Sequence, residues 1–263
     1  MKFLEYNMGE GVRAFSTTRE GGVGVGAYAG FNITHYCGDE AEAVAQARST
    51  LCNELEISID RLIVPRQTHS SEVLCIDDDF LALSEQEQSV KLYAKDAVVT
   101  ALPKLCIGVS TADCVPILLY DTKKNVVAAI HAGWRGTVAR IVEKCVTAMS
   151  EHYDSSPVDI KAVIGPSISL QAFEVGDEVY DTFAAASFPM QQIACRMGEK
   201  WHIDLWEANR LQLLACGVPA TAVEVCGICT YTNCDEFFSA RRLGINSGRI
   251  YSGILIRSKT QNH

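Results

Sequence analysis

Apolar side chains recur at helical spacing in the first quarter of the chain. Within Asp39–Leu55, the residues Ala43, Ala47 and Leu51 stand four positions apart, and acidic residues fill the first turn. Residues four apart share one face of an α-helix, and acidic side chains suit the positive end of its dipole. The pattern predicts an amphipathic helix over Asp39–Leu55.

Most other apolar stretches are too short for a helix and are rich in β-branched residues, which is typical of strands. The predicted strands are Ile63–Val64, Val73–Ile76, Asp96–Thr100, Leu105–Ser110, Val115–Tyr120, Val126–Ile130, Lys161–Ile164, Val223–Cys226 and Ile250–Ile256.

Three further segments have helical periodicity: Gly136–His152, Glu174–Ala186 and Leu205–Cys216. The first carries a continuous apolar stripe that includes Ile141 and Cys145, and Gly217 ends the last in the usual position for a C-terminal glycine. Strands and helices are mixed without a regular βαβ alternation. The sequence therefore predicts an α+β fold with helices packed on sheet layers.

Length and composition narrow the class of protein. The chain has 263 residues, of which 48% are hydrophobic, which suits one large domain or two small ones and excludes a disordered chain. We assign residues 1–263 to a single domain. Its 23 basic and 32 acidic residues give a net charge of -9. We expect no nucleic-acid partner, because binding to phosphates normally requires the opposite sign.

No apolar stretch reaches the length of a signal peptide or a membrane span. We therefore expect a cytoplasmic protein with no membrane partner. The 11 cysteines are an odd number in a chain large enough to fold without disulfides. In a reducing compartment we expect most of them to be buried thiols.

Three polar residues stand at strand ends, where site residues are often found. His69 lies in the turn RQTHSSEV, Cys114 in the turn STADCVP, and His131 at the end of the strand VVAAI before a glycine-rich turn. If the fold brings them together, they supply two nitrogens and one sulfur, ligands that zinc prefers, with a fourth position open to water.

The same three residues permit other interpretations. Cys114 could act as a nucleophile with His131 or His69 as its base, or all three could be ordinary structural residues. A second metal candidate is Cys226-x2-Cys229-x4-Cys234, but a single CxxC is weak evidence for zinc, and we favour structural thiols there.

Two further segments could bind an anionic ligand. Gly133, Arg135 and Gly136 stand before a predicted helix, where free N–H groups favour phosphate. The segment FFSARR places Phe238 beside Arg241 and Arg242, a combination that suits a flat base with a charged group. The alternatives are a plain helix start and an aromatic core beside solvated arginines.

Seven segments in this order resemble the YfiH/YlmD-type family, described as laccase-domain or polyphenol oxidase proteins and as purine nucleoside phosphorylases: RQTHSSEV, DAVVT, GVSTADCVPILLYD, AIHAGWRGTVARIV, GPSISLQAFEVG, WHIDLWEANRLQL and CTYTNCDEFFSARRLGINSGR. The resemblance runs from about Phe15 to about Ser252. It implies a zinc ion held by His69, Cys114 and His131. It also implies a layered α/β sandwich similar to the catalytic domain of cytotoxic necrotizing factor.

One segment departs from the family pattern. Where relatives often have cysteines after the GP dipeptide, this chain has Ser167, Ser169 and Gln171. Roles assigned to those thiols do not transfer to this chain, and the three zinc residues are unaffected.

The resemblance implies phosphorolysis of purine nucleosides (adenosine, inosine, guanosine and methylthioadenosine) and deamination of adenosine. Zinc can lower the pKa of bound water for attack on adenine C6. Phosphorolysis requires phosphate near the ribose C1′, with its charge balanced by zinc or arginine. The candidates are Arg135, Arg241 and Arg242 for phosphate, Phe238 for stacking on the base, and Asp113 for orienting a ligand or moving a proton.

The laccase description fails on ligand count. A laccase requires about ten histidines for its copper centres, and the chain has six. Copper at the three residues is possible but not favoured. Two alternatives remain, an editing hydrolase for peptidoglycan precursors that uses the same Cys/His/His site, and a non-catalytic binding protein with structural zinc. The oligomeric state is not readable from the sequence.

Overall fold

The computed structural model describes residues 1–257. Its strands are β1 (Phe3–Tyr6), β2 (Val12–Thr17), β3 (Leu62–Ile63), β4 (Val73–Ile76), β5 (Ala97–Thr100), β6 (Cys106–Thr111), β7 (Val115–Asp121), β8 (Val126–Ala132), β9 (Ile160–Ile164), β10 (Glu174–Val175), β11 (Ala194–Met197), β12 (Lys200–Ile203), β13 (Val223–Val225) and β14 (Ile250–Ile256). Its α-helices are α1 (Ala41–Leu55), α2 (Asp78–Leu81), α3 (Glu85–Leu92), α4 (Trp134–Val138), α5 (Ile141–Tyr153), α6 (Asp177–Ala185), α7 (Met190–Ile193), α8 (Leu205–Ala215) and α9 (Ala240–Leu243).

The strands form three sheets. One has five strands in the order β1-β2-β14-β6-β3, one has six in the order β13-β9-β7-β8-β5-β4, and a small one has the order β10-β12-β11. In the six-stranded sheet, β7 and β8 form an antiparallel hairpin with Pro116 opposite His131, and β4 runs parallel to β5.

The two large sheets pack face to face. The core between them contains Val109 and Ile254 from one sheet, and Leu118 and Val127 from the other. Strand β7 is buried on both faces, because Ile117 points to the opposite side, into the core under the helices. Burial on both faces explains why this strand is a continuous apolar run in the sequence.

Helices cover the outer face of each large sheet. Helix α1 packs Leu51 and Leu55 against the five-stranded sheet. Helices α5 and α8 pack residues such as Val142 and Leu213 against the six-stranded sheet. The result is a layered α/β sandwich, which confirms the predicted fold class. The likeness to cytotoxic necrotizing factor and the single-domain assignment stay predictions.

The helix predicted over Gly136–His152 is two helices. Helix α4 ends at Val138 and α5 begins at Ile141, and Arg140 between them has a left-handed backbone with φ 61°. The Arg140 guanidinium lies 3.8 Å from the centre of the Phe188 ring and donates to the Ala186 carbonyl oxygen. These tertiary contacts fix the break, and the apolar stripe continues across it.

Other differences lie in short strands. The segment predicted as a helix from Glu174 begins as β10, because Glu174 pairs with His202 of β12. The sequence did not predict β1, β2, β11 or β12. Strand β2 was missed because its buried Ser16 is polar; the Ser16 hydroxyl is satisfied by Tyr6 at 2.8 Å and Ser252 at 2.6 Å. Within residues 1–257, no helix is both long and apolar enough to cross a membrane.

Candidate metal site

Strand order explains why three distant residues meet at one edge of the six-stranded sheet. Cys114 immediately precedes β7, and His131 stands one residue before the end of β8, its antiparallel partner. His69 lies in the turn before β4, whose neighbour β5 pairs with β8. The start of β4 and the start of β7 therefore lie at the same edge as the end of β8.

His69, Cys114 and His131, which we call the triad, converge in space. The Cys114 Sγ lies 3.7 Å from the His69 Nε2, and one ligand atom from each residue lies within 4.8 Å of the others. The two imidazole rings meet edge to face with their centres 4.9 Å apart. His131 is buried, whereas His69 is exposed, so the cluster faces solvent on one side.

The triad fits a metal ion by its donors and its shape. Two imidazole nitrogens and a thiolate are ligands that zinc accepts, and the set leaves a coordination position open. Gly133 lies against the side chains of Cys114 and His69. A Cβ at Gly133 would lie 3.0 Å from the Cys114 Sγ and 2.9 Å from the His69 Cδ2, so only glycine leaves room there.

Asp96 connects the two histidines, and sequence reasoning missed it. Its Oδ1 lies 2.6 Å from the His131 Nδ1 and accepts from the His69 N–H at 3.0 Å. Its Oδ2 accepts the backbone N–H groups of Thr68 and Ser70 and lies 2.8 Å from the Ser70 hydroxyl. The side chain is fully buried. In the sequence, Asp96 stands out only as a polar residue at the start of a predicted apolar strand.

The charges of the site favour the ligand form of the cysteine. Burial raises the pKa of Cys114, but His131 and His69 outweigh burial, so this pKa lies below its ordinary value. Burial lowers the pKa of His131, but Cys114 and Asp96 outweigh it and raise this pKa. Burial likewise raises the pKa of Asp96, and its hydrogen bonds with His131, Thr68 and Ser70 bring it below its usual range. The thiolate is therefore stabilised before any metal binds.

Asp113 joins two loops beside Cys114. Its backbone is left-handed with φ 86°, its Oδ1 accepts the Thr230 hydroxyl at 2.7 Å, and its Oδ2 accepts the Arg241 N–H at 2.6 Å. Both carboxylate oxygens are occupied by hydrogen bonds within the protein. This arrangement suits a residue that positions the turn around Cys114 more than one that moves a proton.

The three arginines that are candidate phosphate ligands differ in how many contacts their guanidinium groups make with the rest of the protein. The exposed Arg135 guanidinium lies over the Trp134 ring, 4.3 Å from its centre, and has no hydrogen bond or salt bridge to any residue of the described range 1–257. Arg241 donates two hydrogen bonds to the Glu174 carbonyl oxygen, at 3.2 Å each. Arg242 lies over the Tyr231 ring, 5.3 Å from its centre.

Two details of the anion candidates need correction. Helix α4 begins at Trp134, so Arg135 and Gly136 lie inside this five-residue helix and not before it. Phe238 is 1% exposed and packs against residues that include Phe237. Its ring could stack on a base only after a rearrangement, because the core already surrounds it.

The CxxC segment contrasts with the triad. Cys229 is buried and accepts a hydrogen bond from the Ser169 N–H at 3.4 Å, and Cys226 lies just after β13. In the part of the chain that the structure describes, the triad is the only group of three ligands close enough for a metal ion. All 11 cysteines are free thiols, but only four of them are buried, so the expectation that most would be buried is wrong.

The chain is similar in sequence to known proteins. A family model described as "Multi-copper polyphenol oxidoreductase laccase" matches residues 13–257. A purine nucleoside phosphorylase of Bacteroides thetaiotaomicron is 52% identical over 92% of this chain and 90% of its own length. Adenosine deaminase RL5, from an unknown prokaryotic organism, is 49% identical over 93% of this chain and 94% of its own length.

The fold is similar to solved structures as well. YlmD from Geobacillus stearothermophilus superposes with a TM-score of 0.91 and 29% sequence identity, over 98% of this chain and 97% of that chain. Together with the sequence relatives, this likeness confirms the resemblance that the sequence motifs indicated.

Proposed function

This chain belongs to the family described as multi-copper polyphenol oxidoreductase laccase, whose model matches residues 13–257, and we propose that it is a zinc-dependent purine nucleoside phosphorylase. We propose adenosine, inosine, guanosine and methylthioadenosine as substrates, with deamination of adenosine as a second activity. The observation that carries the proposal is the 52% identity to a protein named purine nucleoside phosphorylase. The 49% identity to a protein named adenosine deaminase supports the second activity.

We propose zinc and not copper, because the chain has too few histidines for the copper centres of a multi-copper oxidase. A multi-copper oxidase requires one centre with a cysteine and two histidines and further histidine-rich centres. The chain has six histidines, and within residues 1–257 the triad is the single three-ligand group. Two histidines and one thiolate with an open position are typical of a catalytic zinc site.

His69, His131 and Cys114 would hold the zinc ion through two nitrogens and the thiolate sulfur. When bound, zinc would act as a Lewis acid that stabilises developing negative charge and activates water. Gly133 leaves room for the Cys114 and His69 side chains, which would hold the ion, since a Cβ there would lie 3.0 Å from the Cys114 Sγ and 2.9 Å from the His69 Cδ2.

Phosphorolysis also requires a group that holds phosphate beside the ribose. A phosphate oxygen bonds to C1′ while the C1′–N9 bond breaks, and the electron pair leaves on the purine. The negative charge of the incoming phosphate is best balanced by a guanidinium that can donate two hydrogen bonds. We propose Arg135 as the leading phosphate ligand, because it is exposed and its guanidinium, which lies over the Trp134 ring, has no hydrogen bond or salt bridge within residues 1–257. Arg241 and Arg242 follow, since other contacts engage them.

The reaction is proposed to take place in the cytoplasm on nucleoside and phosphate, without nucleic acid or membrane. The free thiols support this location, since a reducing compartment keeps cysteines unpaired.

A product assay tests the proposal. Purified protein of measured zinc content is incubated with adenosine, with and without phosphate, and the products are separated by chromatography. We expect adenine, hypoxanthine and ribose-1-phosphate only with phosphate, and inosine in both cases. The Cys114→Ala variant should lose both activities, while Cys195→Ala, a partly buried thiol on β11, should keep them. The control excludes a contaminating enzyme and a general effect of removing a thiol.

Other outcomes would redirect the proposal. Inosine without adenine or hypoxanthine would leave a deaminase alone. Neither product, from protein with one zinc per chain, would contradict the nucleoside function and favour the editing hydrolase. For phosphate, Arg135→Ala should raise the KM for phosphate with a smaller change for adenosine; an unchanged phosphate KM would remove Arg135 from the site.

A further inference from the structure

We propose that Asp96 is a positioning residue that sets both histidines of the triad in ligand geometry before a metal binds. This role rests on the proposed metal function of the triad. One carboxylate reaches the ring of one histidine and the backbone of the other, so a single side chain connects two ligands that come from different parts of the sheet edge.

The contact with His131 selects its ligand atom. The Asp96 Oδ1 lies 2.6 Å from the His131 Nδ1, and the Asp96 carbonyl oxygen accepts the His131 N–H at 2.7 Å. An ionised carboxylate can only accept a hydrogen bond, so the proton of the ring lies on Nδ1. The lone pair of Nε2 is then left for the metal, as in carboxylate–histidine–zinc arrangements.

The contacts with the turn hold His69. His69 has a left-handed backbone with φ 62°, which residues with a Cβ seldom adopt. Three consecutive N–H groups, those of Thr68, His69 and Ser70, donate to the Asp96 carboxylate at 3.1, 3.0 and 2.9 Å. A loop wrapped around a buried negative charge in this way keeps the disfavoured conformation and presents the imidazole to Cys114.

An amide cannot replace this carboxylate. Each oxygen of Asp96 accepts from at least two groups, with His131 and His69 on Oδ1, and Thr68 and Ser70 on Oδ2. In Asp96→Asn, whichever position holds the NH2 group would face donors of the protein. If it faces His131, the ring must move its proton to Nε2 and lose its free ligand atom.

The test compares Asp96→Asn with a matched variant, Asp121→Asn. Asp121 is also fully buried in the same sheet, at the far end of β7, and its Oδ1 accepts the Lys123 and Lys124 N–H groups. Zinc affinity is measured by competition with a chromophoric chelator, and thermal unfolding of the metal-free proteins is recorded. We expect Asp96→Asn to bind zinc roughly 10–100-fold more weakly, the range for carboxylates behind histidine ligands, and Asp121→Asn to bind it as the parent does.

Ring nitrogen NMR of histidine gives a second measurement that does not depend on activity. In the metal-free parent protein, the His131 Nδ1 should carry a proton that exchanges slowly with water; in Asp96→Asn this protection should be lost. Equal zinc affinity in both variants, or a neutral His131 with its proton on Nε2 in the parent, would overturn the proposal. If Asp96→Asn does not fold, the NMR result on the parent decides. A parent protein that binds no zinc would instead contradict the proposed function.

Discussion

The triad and the cysteine segment Cys226–Cys234 are the two places where the chain offers metal ligands, and they differ in how those ligands are arranged. In the cysteine segment, the ligands are close in sequence, yet they form no three-ligand group within residues 1–257. In the triad, Cys114 and His69 are 45 residues apart in sequence and 3.7 Å apart in space.

The difference lies in the backbone that carries the ligands. The triad stands at strand ends along one side of the six-stranded sheet, where Asp96 contacts His131 and Gly133 leaves room for the Cys114 and His69 side chains. The cysteine segment follows an edge strand, and Cys229 uses its sulfur to accept a backbone N–H. Close spacing in sequence is therefore a weaker indicator of a site than a shared sheet edge with a buried carboxylate behind it.

Removing one thiol from each region gives the largest expected contrast. Cys114→Ala deletes a proposed ligand and should weaken zinc binding by more than about 100-fold, beyond the effect of losing an outer partner. Cys229→Ala should leave zinc content unchanged. Elemental analysis after dialysis against a weak chelator measures both, and zinc loss in Cys229→Ala alone would reverse the assignment.

The second-largest contrast should be in how the rate of thiol alkylation depends on pH at the cysteine segment and at the triad. Burial raises the pKa of Cys226 to about 11, so its reactive thiolate should increase about 100-fold between about pH 7 and about pH 9. The pKa of Cys114 is lowered by His131 and His69 in spite of burial, so its thiolate already exists at neutral pH and its rate should change much less. Mass spectrometry of chelator-treated protein follows both sites, and parallel pH profiles would contradict the expected contrast.

A methyl group at Gly133 tests the room in front of the triad. Its backbone, with φ -68°, accepts alanine without strain, but the new Cβ would lie 3.0 Å from the Cys114 Sγ. We expect Gly133→Ala to fold normally and to bind zinc roughly tenfold or more weakly, because the displaced ligands no longer converge. Calorimetric titration with zinc gives the affinity, and an unchanged value would show that the ligands adapt to the added methyl group.

Gly227, in the cysteine segment, should show the smallest effect of the four. Its replacement by alanine should change stability and not zinc affinity, the opposite of Gly133→Ala. Gly227 has φ +68° with nothing within 4 Å of an added Cβ, so alanine adds strain without a clash. We expect Gly227→Ala to lower the free energy of unfolding by about 1 kcal/mol and to leave zinc affinity unchanged. Denaturant unfolding of the metal-free protein provides the value. A drop in zinc affinity here would link the two regions.

Much of the fold was predictable because the local pattern of apolar residues indicates which side chains are buried. Strands β7 and β8 and helix α1 were predicted within a few residues of their ends, since continuous apolar runs and four-residue spacing survive in any packing. Strand β2 was missed because buried hydroxyl groups satisfy one another across strands, as Ser16 and Ser252 do. No local pattern contains that information.

The sequence by itself determined which residue types were available and where the strands would end, and so it indicated His69, Cys114 and His131. Only the tertiary structure decided that these ends share one edge, because strand order depends on long-range pairing such as that of β5 with β8. It also decided that Asp96 would face both histidines and that the core would surround Phe238. A side chain's role depends on its neighbours in space, and in a sheet of mixed strands those neighbours come from distant parts of the chain.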